Sequence, residues 1–294
     1  MLTTAVHARA GAVVAGWDTH ATRSWVPARA RAVGSRHALG QYEGMCGRYA
    51  ATRDPADLAA AFQVDEVVAE RALPPRYNIA PTNPVYAVLE RRENGEQLRR
   101  ELRVLRWGLV PSWARDPRIG NRLINARAET IAEKPAFRRA FAVRRCLLPA
   151  DGYYEWFPLA GDGGRRPRKQ PFFIRPRDGG ILPMAGLYEL WRDPTDPDGE
   201  WLWTCVVITT RATDELGRLH DRMPTFVAPD DWDRWLDPRL DTLQDIAALL
   251  RPAAPGWLEA YPVSTLVNDV RNDGPALVEP VALPADVSSA GIPL

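Results

Sequence analysis

The sequence predicts an α+β fold, a curved, mainly antiparallel β-sheet or barrel with short flanking helices, in one domain over about residues 45–280. Three observations carry that expectation: strand patterns outnumber helical ones, the two kinds are interspersed, and no internal repeat divides the chain. Asp54 can cap a helix over residues 55–63, with Pro55 in its first turn and Leu58, Ala61 and Phe62 as its apolar positions. Pro74-Pro75 then breaks the chain ahead of Tyr77-Asn78-Ile79-Ala80-Pro81. Residues 85–90 and 102–107 read as a strand pair around an Asn94-Gly95 turn. Further strands are expected at 144–148, 153–157, 171–174 and 201–209, with 161–169 as a polar, glycine-rich hairpin loop. A short helix should follow Thr213 to about Leu219, a strand should start at Thr225, and helices should cover 230–236 and 242–250.

Both ends read differently. Residues 1–44 are rich in Ala, Arg and Gly, show no periodicity, and hold His7, His20 and His37, three of the four histidines. Val13-Val14 is too short a core for a secretory signal, and the acid-poor composition has only a faint likeness to a transit peptide. The expectation is a disordered leader, either an upstream start assigned ahead of the true one at Met45 or a removable pro-segment. Residues 281–294 are Pro/Ala/Ser-rich and should be frayed.

Composition narrows the class. The chain is 46% hydrophobic and 26% charged, ordinary globular values. No apolar run approaches the roughly 18 residues that span a bilayer, which predicts a soluble protein without membrane contact. Cys46, Cys146 and Cys205 form an odd, sparse set with no metal-ligand spacing, and beyond residue 44 the only histidine is His220. A reducing, cytoplasmic compartment is expected, with no disulfide framework, no metal and no cofactor. The net charge of +1 hides a segregation: residues 99–177 hold 19 basic and 7 acidic residues, whereas 178–294 hold 8 and 20. The basic block fits a phosphate-tracking surface, or else a solvated arginine-rich face.

Chemistry centres on Met45-Cys46-Gly47-Arg48-Tyr49, which reads like a translation start inside the frame. Once its methionine is removed, Cys46 carries a thiol and a free α-amine on adjacent carbons. An α-amine has a pKa of about 7.7–8.0 against about 10.4 for lysine, so its free-base fraction at neutral pH is greater by roughly two to three orders of magnitude. It is the better nucleophile toward an aldehyde, and the thiol can close the resulting imine into a five-membered thiazolidine. The competing reading is a small buried cysteine on a first strand. Arg48, on the strand face of Cys46 at period two, could hold a phosphate or make a surface ion pair.

In Leu123-Ile124-Asn125-Ala126-Arg127-Ala128-Glu129-Thr130, an extended chain points Asn125 and Arg127 the same way, offering an amide and a guanidinium to one polyanion. Alternatively Asn125 makes a turn and Arg127 pairs with Glu129. In Asp151-Gly152-Tyr153-Tyr154-Glu155-Trp156-Phe157, both strand faces are aromatic. Glu155 is therefore expected to be desolvated, with its pKa raised toward neutrality and suited to acid–base work, unless it lies on a wet edge strand. His220 completes the one thiol–carboxylate–imidazole set available with Cys46 and Glu155. Trp107 to Trp113 could form a stacking platform for unpaired bases. Trp201, Trp203, Trp232 and Trp235 fit core positions, and Cys146 and Cys205 lie in apolar strands and should be inert.

Together these stretches resemble the SRAP (SOS-response-associated peptidase) family over about residues 45–280. The resemblance rests on Met45-Cys46-Gly47-Arg48-Tyr49, Arg76-Tyr77-Asn78-Ile79-Ala80-Pro81, Trp107-Gly108-Leu109-Val110-Pro111-Ser112-Trp113, Ile124-Asn125-Ala126-Arg127-Ala128-Glu129-Thr130, Asp151-Gly152-Tyr153-Tyr154-Glu155-Trp156, Lys169-Gln170-Pro171-Phe172-Phe173, Val207-Ile208-Thr209-Thr210 and His220-Asp221-Arg222-Met223-Pro224, in that order. It implies a sensor of abasic sites in single-stranded DNA that forms a thiazolidine crosslink with the ring-opened sugar. Cys46 would be the nucleophile, with Asn125, Glu155 and His220 in the catalytic pocket, the last two moving protons, and strand cleavage as a further capacity. Arg48 and Arg127 would hold phosphates, Pro81 and Trp113 would shape a wedge, and Asn78 and Thr209 would support the pocket. The family often has a second aromatic after the first tryptophan of its Pro-x-Trp motif, where this chain has Ala114. Some members are thought to remove a short leader autocatalytically, which would free the Cys46 amine here.

Two other functions compete: a cysteine peptidase using Cys46 and His220, acting generally or only on its own leader, and a noncatalytic single-strand binder. The peptidase would need an oxyanion hole and a peptide cleft, for which the sequence offers no signal. The expected partner is abasic single-stranded DNA, met as a monomer in the cytoplasm at the nucleoid, with strong salt dependence.

Overall fold

Residues 85–89 point alternately to two sides, and both sides are buried. Val85, Ala87 and Leu89 enter one apolar cluster, Tyr86 and Val88 another. This explains why the sequence reads there as a continuous apolar run instead of a half-wet alternation. The computed structural model describes residues 47–69, 71–93, 97–159, 168–212 and 214–283. Residues 1–44, Met45, Cys46, the Asn94-Gly95 turn, most of the 161–169 loop and the final residues from 284 lie outside the described residues.

Among the described residues thirteen strands follow in chain order: β1 (Tyr49–Ala51), β2 (Glu66–Val68), β3 (Arg76–Ile79), β4 (Pro84–Glu93), β5 (Gln97–Trp107), β6 (Asn125–Arg127), β7 (Arg145–Ala150), β8 (Gly152–Pro158), β9 (Lys169–Pro176), β10 (Leu182–Trp191), β11 (Leu202–Arg211), β12 (Arg222–Pro224) and β13 (Leu258–Pro262). Among the same residues four α-helices are interspersed: α1 (Pro55–Phe62), α2 (Arg138–Val143), α3 (Trp232–Leu236) and α4 (Leu243–Ala248). The larger sheet runs β12-β11-β10-β7-β4-β5-β2, with β6 beside β11. It curves so far that β5 also meets β11 through a short parallel ladder, Thr204 opposite Arg106 and Cys205 opposite Trp107. The smaller sheet runs β13-β9-β8-β1-β3. The fold is α+β on curved, mainly antiparallel sheets; of the two forms expected, the curved sheet is the one seen.

Three layers result. Leu105, Trp107, Cys146, Leu148, Met184, Cys205 and Val207 of the larger sheet pack against Tyr49, Ile79, Tyr153, Phe172 and Ile174 of the smaller one. On the other face, Leu102, Leu147, Leu187, Val206 and Ile208 meet Leu58, Phe62, Phe141, Trp235, Leu236 and Ile246 of the helices. Each fully buried side chain of this size contributes roughly 1.5–3 kcal/mol. Helix α1 forms where expected: the Asp54 side chain accepts the Asp57 amide at 2.9 Å, Pro55 opens the first turn, and Gln63 closes the helix in the left-handed region at φ 53°.

The helices are tied to the sheet by Arg145, which is 1% exposed. Its Nε donates to Trp235 O (2.6 Å), Nη1 to Phe141 O (2.9 Å) and Ala142 O, and Nη2 to Asp237 O (2.5 Å) and Leu240 O (3.0 Å). Desolvation draws its pKa down to about 10. One guanidinium thus serves the open carbonyl ends of α2 and α3.

Several elements differ from expectation. β10 is a central strand absent from the sequence reading, as are β2, β13 and α2. The strand expected from Thr225 is β12, ending at Pro224, while Phe226 makes isolated bridges to Met184 and Arg251. The helix after Thr213 is a 3-10 turn, Asp214–Arg218. Cys146 and Cys205 are fully buried free thiols whose pKa values burial pushes up, consistent with inertness.

Candidate functional site

The residues singled out from the sequence fall into two groups, one on each sheet. The first is built on β1 and β8. Their antiparallel register sets Tyr49 opposite Tyr153 and Ala50 opposite Gly152, and the ladder continues with the Tyr154 amide donating to Arg48 O at 3.0 Å. Gly152 permits this: a Cβ there would lie 2.4 Å from the Phe173 ring and 2.6 Å from Ile174 O. Arg48, two residues after Cys46, donates from Nη1 to Asn78 Oδ1 and to Val267 O, both at 2.8 Å, with its guanidinium 5.7 Å from the centre of the Trp156 ring. Desolvation lowers its pKa from the ordinary arginine value, while Asp269 works against that shift.

Asn78 is fully buried, and its Nδ2 reaches the carbonyls of Val267 (3.2 Å), Asp269 (3.1 Å) and Asn272 (2.9 Å). It fastens the 265–272 segment to β3 and orients Arg48 at the same time. Glu155, on the Tyr153 side of β8 and opposite Phe172 of β9, is only 4% exposed. Its position is the enclosed one, not the wet edge.

The second group lies on β6, β11 and the turn into β12. β6 runs parallel to β11, Asn125 opposite Val207 and Arg127 opposite Thr209. Ala126 is buried between them, so Asn125 and Arg127 share the other side, as alternation requires, and Arg127 is exposed. Arg127 does not pair with Glu129. That carboxylate instead takes Arg222 in a fork, Oε1 to Nη1 at 2.7 Å and Oε2 to Nη2 at 2.9 Å, which holds its pKa below the usual carboxylate value. Arg222 Nη2 also donates to Thr209 O (2.7 Å) and Thr209 Oγ1 (3.2 Å).

His220 is half-buried, and its Nδ1 accepts the Arg222 amide at 3.1 Å. A neutral ring making that bond carries its proton on Nε2. Asp221 Oδ1 also lies 3.1 Å from Nδ1, a contact that becomes a hydrogen bond only when Nδ1 carries a proton.

One buried ring joins the groups. Tyr49 lies 5.1 Å from Trp107, centre to centre, and Trp107 Nε1 donates to Ile124 O at 2.9 Å, one residue before Asn125. Trp107 is therefore core and not part of a stacking platform, a correction; Trp113 is the exposed ring, at 60%. Pro81 opens the turn in which Thr82, at φ 75°, donates to Trp107 O at 2.8 Å. Ala114 turns inward beside Val110 and Trp191 and adds no exposed surface. Trp201 is also corrected: it is 50% exposed, with Arg192 4.1 Å over its ring. Trp203, Trp232 and Trp235 pack inward as expected.

The basic block is neutralised only in part. Arg99, Arg100, Arg103, Arg118, Arg144 and Arg175 each meet a carboxylate, and Arg145 is buried. Arg115, Arg122, Arg127, Lys134, Arg138, Arg139, Lys169 and Arg177 remain exposed with no ion pair among the described residues. Among the described residues no three His, Cys, Asp or Glu side chains gather as metal ligands, and no helix is long and apolar enough to cross a membrane. Sequence reasoning missed Glu129 and Arg222 as a unit, because 93 residues separate them.

This combination of sheets and motif residues is that of a recognised class. The chain belongs to the SOS response associated peptidase (SRAP) family, whose model matches residues 45–270. It is 37% identical over 235 residues to the abasic site processing protein YoqW of Bacillus subtilis, covering 80% of this chain and 99% of that one. It is 32% identical to the abasic site processing protein HMCES of Gallus gallus, covering 81% and 79%. A solved structure from Bacteroides thetaiotaomicron matches with a TM-score of 0.66 at 27% identity, covering 81% of this chain and all of that one.

Proposed function

We propose that this protein processes abasic sites in single-stranded DNA by capturing the ring-opened sugar aldehyde on Cys46. The observation that carries the reading is that the Arg48 carbonyl, two residues after Cys46, takes the amide of Tyr154, the residue next to the enclosed Glu155. The match of the family beginning at residue 45, and relatives named as abasic site processing proteins, support it further.

In this reading Cys46 acts as an N-terminal residue. Its amine adds to the aldehyde carbon, water leaves to give an imine, and the thiol sulfur adds to that carbon while its proton passes to nitrogen. The product is a thiazolidine, with loss of one water overall. Glu155 and His220 carry the protons for addition and dehydration; His220, with its Nδ1 taken by the Arg222 amide, works through Nε2. Asn125 lines the pocket, and Asn78 and Thr209 support it. Arg48 and Arg127 hold phosphates: among the described residues Arg48 spends only Nη1 on the protein, and Arg127 is unpaired. Pro81 and Trp113 form the wedge that keeps the strand unpaired. Proton abstraction from the imine would give strand cleavage, and a peptidase activity, if present, would act on the residues ahead of Cys46.

The test uses protein starting at Cys46, the same protein carrying one extra N-terminal residue, and Cys46→Ala, each mixed with an oligonucleotide holding one abasic site. Only the first should give a heat-stable band on a denaturing gel, at the summed mass less one water. An equally stable crosslink from the blocked or Cys46→Ala protein would overturn the reading.

A further inference from the structure

Glu129 lies outside the residues given chemical roles above, yet it closes a staple across three strands. It follows β6, which carries Asn125 and Arg127; its carboxylate grips Arg222, the first residue of β12; and Arg222 reaches over β11 to Thr209 O. The Ala128 amide donates to the same Thr209 carbonyl at 2.9 Å, so the end of β6 and the start of β12 are both anchored on one oxygen of β11. The main-chain amide of the stapled Arg222 is also the group that occupies His220 Nδ1. The Arg222 side chain is 10% exposed and that of Glu129 42%. The fork is thus dry on the arginine side and within reach of water on the carboxylate side.

We propose that Glu129 is a positioning residue. By fixing Arg222 it holds the His220 turn against β11, keeps His220 in the Nε2–H form, and keeps β6 in register beside it. A bidentate charged fork suits this task because it fixes the plane of the guanidinium as well as its distance. A neutral partner can keep one bond but loses the charge. Removing the carboxylate also leaves Arg222 positive and unneutralised, so affinity for a polyanion should not fall. The expected signature is therefore a slower reaction with binding unchanged or tighter, the opposite of what general unfolding would give.

The proposal rests on the reading above for its kinetic arm but not for its spectroscopic one. Glu129→Gln should lower the single-turnover crosslinking rate about tenfold, with affinity for an uncleavable single-stranded oligonucleotide retained. Glu129→Asp, which keeps the charge, should recover part of the rate. Nitrogen NMR of histidine-labelled protein starting at Cys46 contains His220 alone, because the other three histidines precede that residue. The wild type should show the Nε2–H tautomer, and Glu129→Gln a mixture. An unchanged tautomer, or equal loss of rate and affinity in Glu129→Gln, would overturn the proposal. A wild type that shows the Nε2–H form but makes no crosslink would sink the functional reading and leave the staple standing.

Discussion

Arg145 and Arg127 come from the same basic stretch and end in opposite conditions. Arg145 is buried and spends all three of its nitrogens on five carbonyls, gathering the ends of two helices. Arg127 stands exposed at the end of β6 with no carboxylate among the described residues. On the helical side of the larger sheet polar groups are saturated, and their loss should cost stability. On the side where β6, β11 and β12 meet, some are left uncommitted, and their loss should cost binding. Charge counted along a sequence cannot separate the two, since whether an arginine faces water or five carbonyls is decided by tertiary packing.

The largest effect expected from breaking this contrast is on folding. Arg145→Met removes the side-chain donors of five carbonyls and should destabilise by about 3 kcal/mol or more, read as a lower denaturation midpoint. The fraction that remains folded should crosslink at the wild-type rate. If Arg145→Met instead weakened DNA binding at unchanged stability, the division between the two sides would fail. Next is Trp113→Ala. This exposed ring should contribute little to stability, but its loss should weaken single-strand binding by about 1–3 kcal/mol; a titration showing unchanged affinity would remove Trp113 from the wedge. The smallest effect is that of Arg127→Ala. Stability should stay within about 0.5 kcal/mol, and the slope of log affinity against log salt should fall by about one. A slope equal to that of wild type would mean that Arg127 meets no phosphate.

Much of the fold could be read from local chemistry. Asp54 and Pro55 announced α1, and the apolar runs of β4, β5, β7 and β11 announced the central sheet. β10 escaped because Pro183 and Gly186 interrupt an otherwise apolar segment, and such residues usually argue against a central strand. The structure shows why glycine stands there: a Cβ at residue 186 would come within 3.0 Å of Cys146 Sγ and Val206 O and 2.9 Å of Leu148 Cδ1. The strand is central because its neighbours press so closely, and that pressure is invisible in one dimension. At the site, the joint order of short motifs pointed to Glu155, Asn125 and His220, and alternation alone put Asn125 and Arg127 on one side. The Glu129–Arg222 fork had no local signal, being a contact between residues 93 apart. Trp107 misled because an indole followed by Gly108 and Pro111 looks exposed, whereas its N–H is satisfied inside the core.

The Thr209 carbonyl carries a consequence for how such a site is mapped. Both of its lone pairs are engaged, one by the Ala128 amide and one by Arg222. It belongs to the main chain, so no side-chain replacement at residue 209 can delete it. An alanine scan can remove the Arg222 donor but leaves the Ala128 one untouched. Replacing the amide at residue 128 with an ester, which removes a single hydrogen, is the alteration that would reach it.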